Sequence, residues 1–150
     1  MTSSPPPPPA PPPRWHLRLD NLSKAVNQLA SDVAEHRTRR LSRLEQAGLI
    51  QHFEMTWELG WKLLGDFLIE SGAPLETPSP HNIIRAAYAM NLLADGDAWI
   101  AAMRLRNALS QEYDEDRAEA AVEVIAANHL ALFMALEERL RRELDQGNSA

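Results

Sequence analysis

The sequence predicts an all-α protein, an up-and-down bundle of four long helices and one short one. Three observations carry this prediction. Eight of the eleven prolines lie in Pro5–Pro9 and Pro11–Pro13, and the other three, Pro74, Pro78 and Pro80, fall in a single connection, so long stretches are free of helix breakers. Those stretches are rich in Ala and Leu, which favour helix. Their apolar residues recur at intervals of three and four, and no segment alternates as a strand does.

Each element can be placed in turn. Residues 1–13 form a proline-rich tail, extended or disordered, because a proline run donates no backbone hydrogen bonds and stiffens towards polyproline II. Such a run also has the composition of a ligand for proline-recognising domains. The bundle domain is expected over residues 14–145, with 146–150 as a disordered tail. The first helix runs from about Trp15 to Gln46 on a stripe of Leu19, Leu22, Val26, Leu29 and Val33. Gly48 is expected to break the chain, and all six glycines read as helix followers.

The second helix, from about Leu49 to Ser71, carries Ile50, Phe53, Trp57, Trp61, Leu64 and Leu68 on one side, while Met55, Leu59, Leu63 and Phe67 widen the apolar surface. A helix apolar over most of its girth is central in a bundle or lies at a subunit interface. Ser79 and Pro80 give an N-cap and a first-turn proline for a short third helix ending near Met90. Asp95 can cap a fourth, which reaches about Gln111. Asp114, Glu115 and Asp116 set negative charge where a fifth begins, with Ala118, Val122, Ile125, His129, Leu132, Leu136, Leu140 and Leu144 as its stripe.

Composition removes several function classes. Cys is 0, so disulfides, thiolate metal sites and thiol nucleophiles are excluded, and a reducing cytoplasm is the expected compartment. A formal charge of −6 argues against coating nucleic acid through bulk charge, although a local basic cleft is compatible with it. No apolar run reads as long enough to span a bilayer, and the N-terminus lacks the basic start and apolar centre of a signal peptide. No glycine-rich phosphate loop is present. None of the five histidines forms an i, i+4 pair fit for zinc. His129, on an apolar face, reads as a core or interface residue, and the acidic run at Asp114 reads as a helix cap rather than a cation site.

Two features stand out. On the second helix, Gln51 and the i+4 series Glu54, Glu58, Lys62 and Asp66 form a polar seam. It is either a solvated face, with Glu58 and Lys62 as a helix ion pair, or the lining of a cleft. At the end of the fourth helix, Arg106, Asn107 and Ser110 sit at i, i+1 and i+4, with Gln111 at the rim. They either bind a phosphate or satisfy the orphan carbonyls of a helix C-terminus.

Ile50, Gln51, Phe53, Glu54, Thr56, Glu58, Leu59, Trp61, Lys62, Leu64 and Asp66 resemble the second-helix signature of nucleotidyltransferase substrate-binding proteins. These are small HEPN-superfamily bundles close to the HepT toxins. The similarity continues through Pro80, Ile84, Arg85, Ala86, Leu92, Trp99, Arg106, Asn107, Tyr113 and Asp114. The resemblance implies a homodimeric bundle of four or five helices that partners a minimal nucleotidyltransferase. The nucleoside triphosphate and Mg belong to that partner, and this chain needs no cofactor of its own. In the toxin-like branch the bundle is a metal-independent ribonuclease with Arg, Asn, a His five residues after the Arg, and a Tyr two further on. The partner silences it, in some systems by adenylylating that Tyr.

The His position is Gln111 here. A neutral amide cannot shuttle protons near pH 7, and loss of a general acid–base group costs on the order of a hundredfold to ten-thousandfold. The expected function is therefore a non-catalytic binding subunit. A cleft at Arg106, Asn107, Ser110 and Gln111, backed by Glu54, Glu58 and Lys62, would hold a nucleotide, an RNA end or a partner loop, with Tyr113 as the modification site. A weak HepT-type endoribonuclease using Arg106 and Gln111 is the alternative. A helical adaptor, in which Arg106 pairs with Glu54 or Glu58, is the second alternative.

Overall fold

The computed structural model describes residues 3–75, 78–111 and 114–148, and among these every regular element is helical. Helix α1 is Arg14–Thr38, α2 is Arg43–Glu70, α3 is Pro80–Ala89, α4 is Gly96–Gln111 and α5 is Glu115–Val124. A π-helical turn at Ile125–His129 joins α5 directly to α6, Leu130–Asn148. The last three form one rod, so the bundle has four long members and the short α3. Residues 3–13 carry no regular secondary structure, and Pro13 has φ −54° and ψ 148°, the polyproline II region.

Helix α1 buries the expected stripe together with Trp15, whose ring meets Phe67 edge-on at 5.1 Å. It stops at Thr38, well short of Gln46, and Gly48 lies inside α2. The cause is a capping box. Ser42 Oγ accepts from Glu45 N at 3.1 Å, and Glu45 Oε1 accepts from Ser42 N at 2.9 Å. Arg39 is extended, Leu41 drops into the core, and α2 starts at Arg43. A reciprocal cap satisfies two orphan donors, whereas an interior glycine costs only about 1 kcal/mol. A Cβ at Gly48 would meet nothing within 4 Å. Ser42→Ala is therefore expected to lose about 1 kcal/mol, and Gly48→Ala to gain up to about 1 kcal/mol, in denaturant titrations.

Helix α2 packs against every other helix and supplies Phe53, Trp57, Leu63, Leu64 and Leu68 to the core. Its glycines are not helix followers. A Cβ at Gly60 would stand 3.3 Å from Trp99, and one at Gly65 would stand 3.0 Å from Ile83, so these positions admit α4 and α3 close to the α2 backbone. Gly72, at φ +79°, does end the helix as expected.

The caps of the shorter helices are those the sequence indicates. Ser79 accepts from Asn82 N, Asp95 from Ala98 N, and Asp114 from Asp116 N. Among the described residues no group of metal-ligating side chains gathers.

The final rod departs from the expected stripe. In the π turn, Leu130 N bonds to Ile125 O, five residues back, so the rod holds one residue more than an α-helix would there. Phe133 rather than Leu132 consequently enters the core. It lies 5.9 Å from Phe53 and 5.6 Å from Trp99, ring centre to ring centre. The rod also continues to Asn148, past the expected domain end at 145. One further expectation is corrected. The segment Asp116–Gly147 is long and apolar enough, by length and composition, to cross a membrane, with 44% of its most apolar window buried. Ala118, Ala121, Val122, Ile125, Leu130, Phe133, Leu136 and Leu140 lie in the core, which accounts for that hydropathy.

Candidate functional site

The seam on α2 does not face a single neighbour. Each i+4 step drifts about 40° around an α-helix, so Asp66 has turned well away from Glu54. Asp66 bonds Arg18 of α1, whereas Glu58 faces α4. Gln51 is exposed and Glu54 half-buried one turn before Glu58.

Glu58 is the hub. Its Oε2 accepts from Trp61 Nε1 at 3.1 Å and from Arg106 Nη2 at 3.4 Å, and its Oε1 lies 3.1 Å from Lys62 Nζ. The Arg106 guanidinium sits over Trp57, 5.5 Å from the ring centre, and Lys62 Nζ lies 6.0 Å from that of Trp61. Two cations thus share one carboxylate and two indole faces, leaving local positive charge. Arg106 and Glu58 are each 34% exposed, so the cluster opens to solvent. Two buried donors here, Arg106 Nε and Trp57 Nε1, have no hydrogen-bond partner among the described residues.

Burial alone would raise the Glu58 carboxyl. The bonds from Trp61 and Lys62, with the charges of Lys62 and Arg106, outweigh it and hold the pKa below the ordinary 4.5. A depressed folded-state pKa stabilises above the unfolded value and is lost as pH falls through the folded one. The Tm advantage of wild type over Glu58→Gln is therefore expected to narrow on acidification below about pH 4.5 and to stay flat above pH 6.

The α4 terminus is only partly assembled with this hub. Ser110 Oγ donates to the Arg106 carbonyl at 3.0 Å, a local helix bond that fits the helix-terminus reading. Asn107 and Gln111 are exposed on the last turn. Tyr113 lies outside the described residues. His129 is 4% exposed and stacked on Phe53, its Nδ1 lacks a partner among the described residues, and desolvation lowers its pKa, so it is a neutral core residue.

Sequence reasoning missed the indoles. Trp57, Glu58, Trp61 and Lys62 place two rings and two charges on adjacent rows one turn apart. That spacing is a readable signal for cations held over aromatic faces.

A profile of the nucleotidyltransferase substrate binding protein-like family matches residues 17–142. Among curated proteins there is no match. The solved structure of HI0074 from Haemophilus influenzae, which reveals the fold of a substrate-binding domain of a nucleotidyltransferase, is similar. It shares 27% identity at a TM-score of 0.71, covering 82% of this chain and 98% of that one. With the matched segment spanning α1 to α6 and including the whole Glu58–Arg106 cluster, this chain belongs to the nucleotidyltransferase substrate binding protein-like family.

Proposed function

We propose that this protein is the non-catalytic substrate-binding subunit of a minimal nucleotidyltransferase, in a two-protein, toxin–antitoxin-like module. The observation that carries the reading is the Arg106 guanidinium, anchored by Glu58 and Trp57 yet one-third open to solvent, within a chain of this family. An anchored, exposed guanidinium is pre-organised to grip phosphate oxygens. The occupant is the phosphate of a nucleotide or an RNA end, held between this subunit and the transferase. The nucleoside triphosphate and Mg are the partner's, and this chain carries no cofactor. The subunit is homodimeric and cytoplasmic. Leu17 on α1, 64% exposed, and Met55 on α2, 53% exposed, offer apolar surface for the dimer contact.

Co-expression with the cognate transferase is expected to yield a stable complex on gel filtration, and separate elution of the two proteins would sink the reading. Incubation of that complex with ATP, followed by mass spectrometry, tests adenylylation of Tyr113, and an unmodified residue removes that part. The purified chain is expected to leave RNA intact at neutral pH, because Gln111 cannot move a proton. Scission by wild type that disappears in Arg106→Ala would establish the HepT-type ribonuclease instead.

One observation favours the adaptor reading. The Arg106–Glu58 pair and the Ser110 bond to the Arg106 carbonyl are internal contacts that a purely structural role would also need. That reading requires Arg106→Ala to lower stability while leaving every association unchanged.

A further inference from the structure

Two adjoining cavities, of about 460 and 650 Å³, flank the connection between α3 and α4. Tyr88 lines both, and neither is lined by Glu58, Lys62 or Arg106. Both volumes fall in the range of small-molecule sites, which run from about 300 to 1,000 Å³.

We propose that this groove is a second ligand site, for a nucleoside phosphate, with the base on the Tyr88 ring and the phosphate on Arg142. Tyr88 is 56% exposed, an unusual degree of freedom for an aromatic residue in a bundle whose other rings are largely packed. Its ring is nevertheless held. A Cβ at Gly96 would stand 3.2 Å from Tyr88 Cγ, so the missing side chain lets the ring lie on the first turn of α4. A fixed ring with an open side is a stacking platform for a planar base.

The charges are sorted around it. Arg139 is committed to structure, donating to the Asn91 carbonyl at 3.2 Å and pairing with Glu143 at 3.0 Å. It thereby ties the connection, where Asn91 sits at φ +59°, to α6. Arg142 lines the larger cavity one turn further on, and Arg85 lines the smaller one. Among the described residues neither forms an ion pair or hydrogen bond, which is notable in a chain of net charge −6. Asp95 lines both cavities but accepts from Ala98 N at 3.0 Å as the cap of α4, whereas Asp97 lines the smaller cavity alone, where a second carboxylate accepts hydrogen bonds from ribose hydroxyls and repels phosphate. The phosphate end is accordingly assigned to Arg142 in the larger cavity. A ring, hydroxyls and an anion on one molecule describe a nucleoside phosphate, either free or as a unit of single-stranded RNA.

The test is calorimetric titration of the full chain, without any partner, with ADP, adenosine, inorganic phosphate and a tetra-adenylate RNA. Saturable ADP binding is expected, with adenosine and phosphate each at least about tenfold weaker. Tyr88→Leu, Gly96→Ala and Arg142→Gln should each weaken ADP about tenfold while keeping the helical circular-dichroism spectrum. Trp99, which lines the larger cavity, supplies a fluorescence signal for the same titration. Tighter, Tyr88-dependent binding of the tetra-adenylate identifies the polymer as the source. The inference is overturned if neither ADP nor the RNA saturates the chain, or if binding is indifferent to Tyr88→Leu. It is equally overturned if Arg106→Ala abolishes binding, because the ligand would then occupy the Arg106 cluster, and the proposed function would stand without a second site.

Discussion

Phe133→Ala is expected to destabilise the bundle by about 3–5 kcal/mol, a Tm loss on the order of 10 °C. Phe133 is fully buried and joins Phe53 of α2 to Trp99 of α4, so its removal opens a cavity where three helices meet. The π turn sharpens the test. A regular helix through Ile125–His129 would send Leu132 inwards, whereas Leu132 is only partly buried here. Leu132→Ala should therefore cost about 1 kcal/mol, since only part of its surface is removed from water. Equal losses for the two variants, measured by denaturant titration, would mean that the turn does not set the register.

Arg106→Ala is expected to weaken retention of a nucleotide or RNA end by the complex with the transferase about 10–100-fold. That is the loss of charge-assisted hydrogen bonds of about 1.5–3 kcal/mol. Its effect on folding should be much smaller, about 1 kcal/mol or less, because the Glu58 pair is one-third exposed and solvent-screened. Arg106→Lys should rescue little. An ammonium can pair with Glu58, but it cannot also present a planar fork to phosphate from the face of Trp57. Equilibrium binding set beside thermal melts of the three proteins separates the roles. Unchanged binding with a lowered Tm is the result that would make Arg106 a structural residue only.

The architecture was legible because helix periodicity and breakers are local properties. The stripe of α1, the caps at Ser79, Asp95 and Asp114, and the stop at Gly72 all act within a few residues. The boundary between α1 and α2 is misjudged when Gly48 is weighed above the Ser42–Glu45 box, although the box is the stronger signal. The exchange of Leu132 for Phe133 was not legible, since Ile125–His129 holds no proline or glycine to mark the π turn, and the contacts made there, Arg37 on the Ala126 carbonyl and His129 on Phe53, are tertiary.

The candidate site divides in the same way. The pairing of Glu58 with Lys62 comes from spacing on one helix, whereas Arg106 over Trp57 needs α4 to cross α2 close by, which Gly60 permits. Exposure of Tyr88 and the commitment of Arg139 to Asn91 are tertiary facts with no sequence signature.

The extra residue in the final rod makes that point the one place where this helix can be shortened without rotating its C-terminal half. Excising a single alanine from Ile125–His129 would leave an ordinary helix with Phe133 still aimed inwards, and would displace the carbonyl of Ala126 that now receives Arg37 at 3.2 Å. The same excision a turn further on would swing the remainder of the rod by about 100° and present a different face to α1.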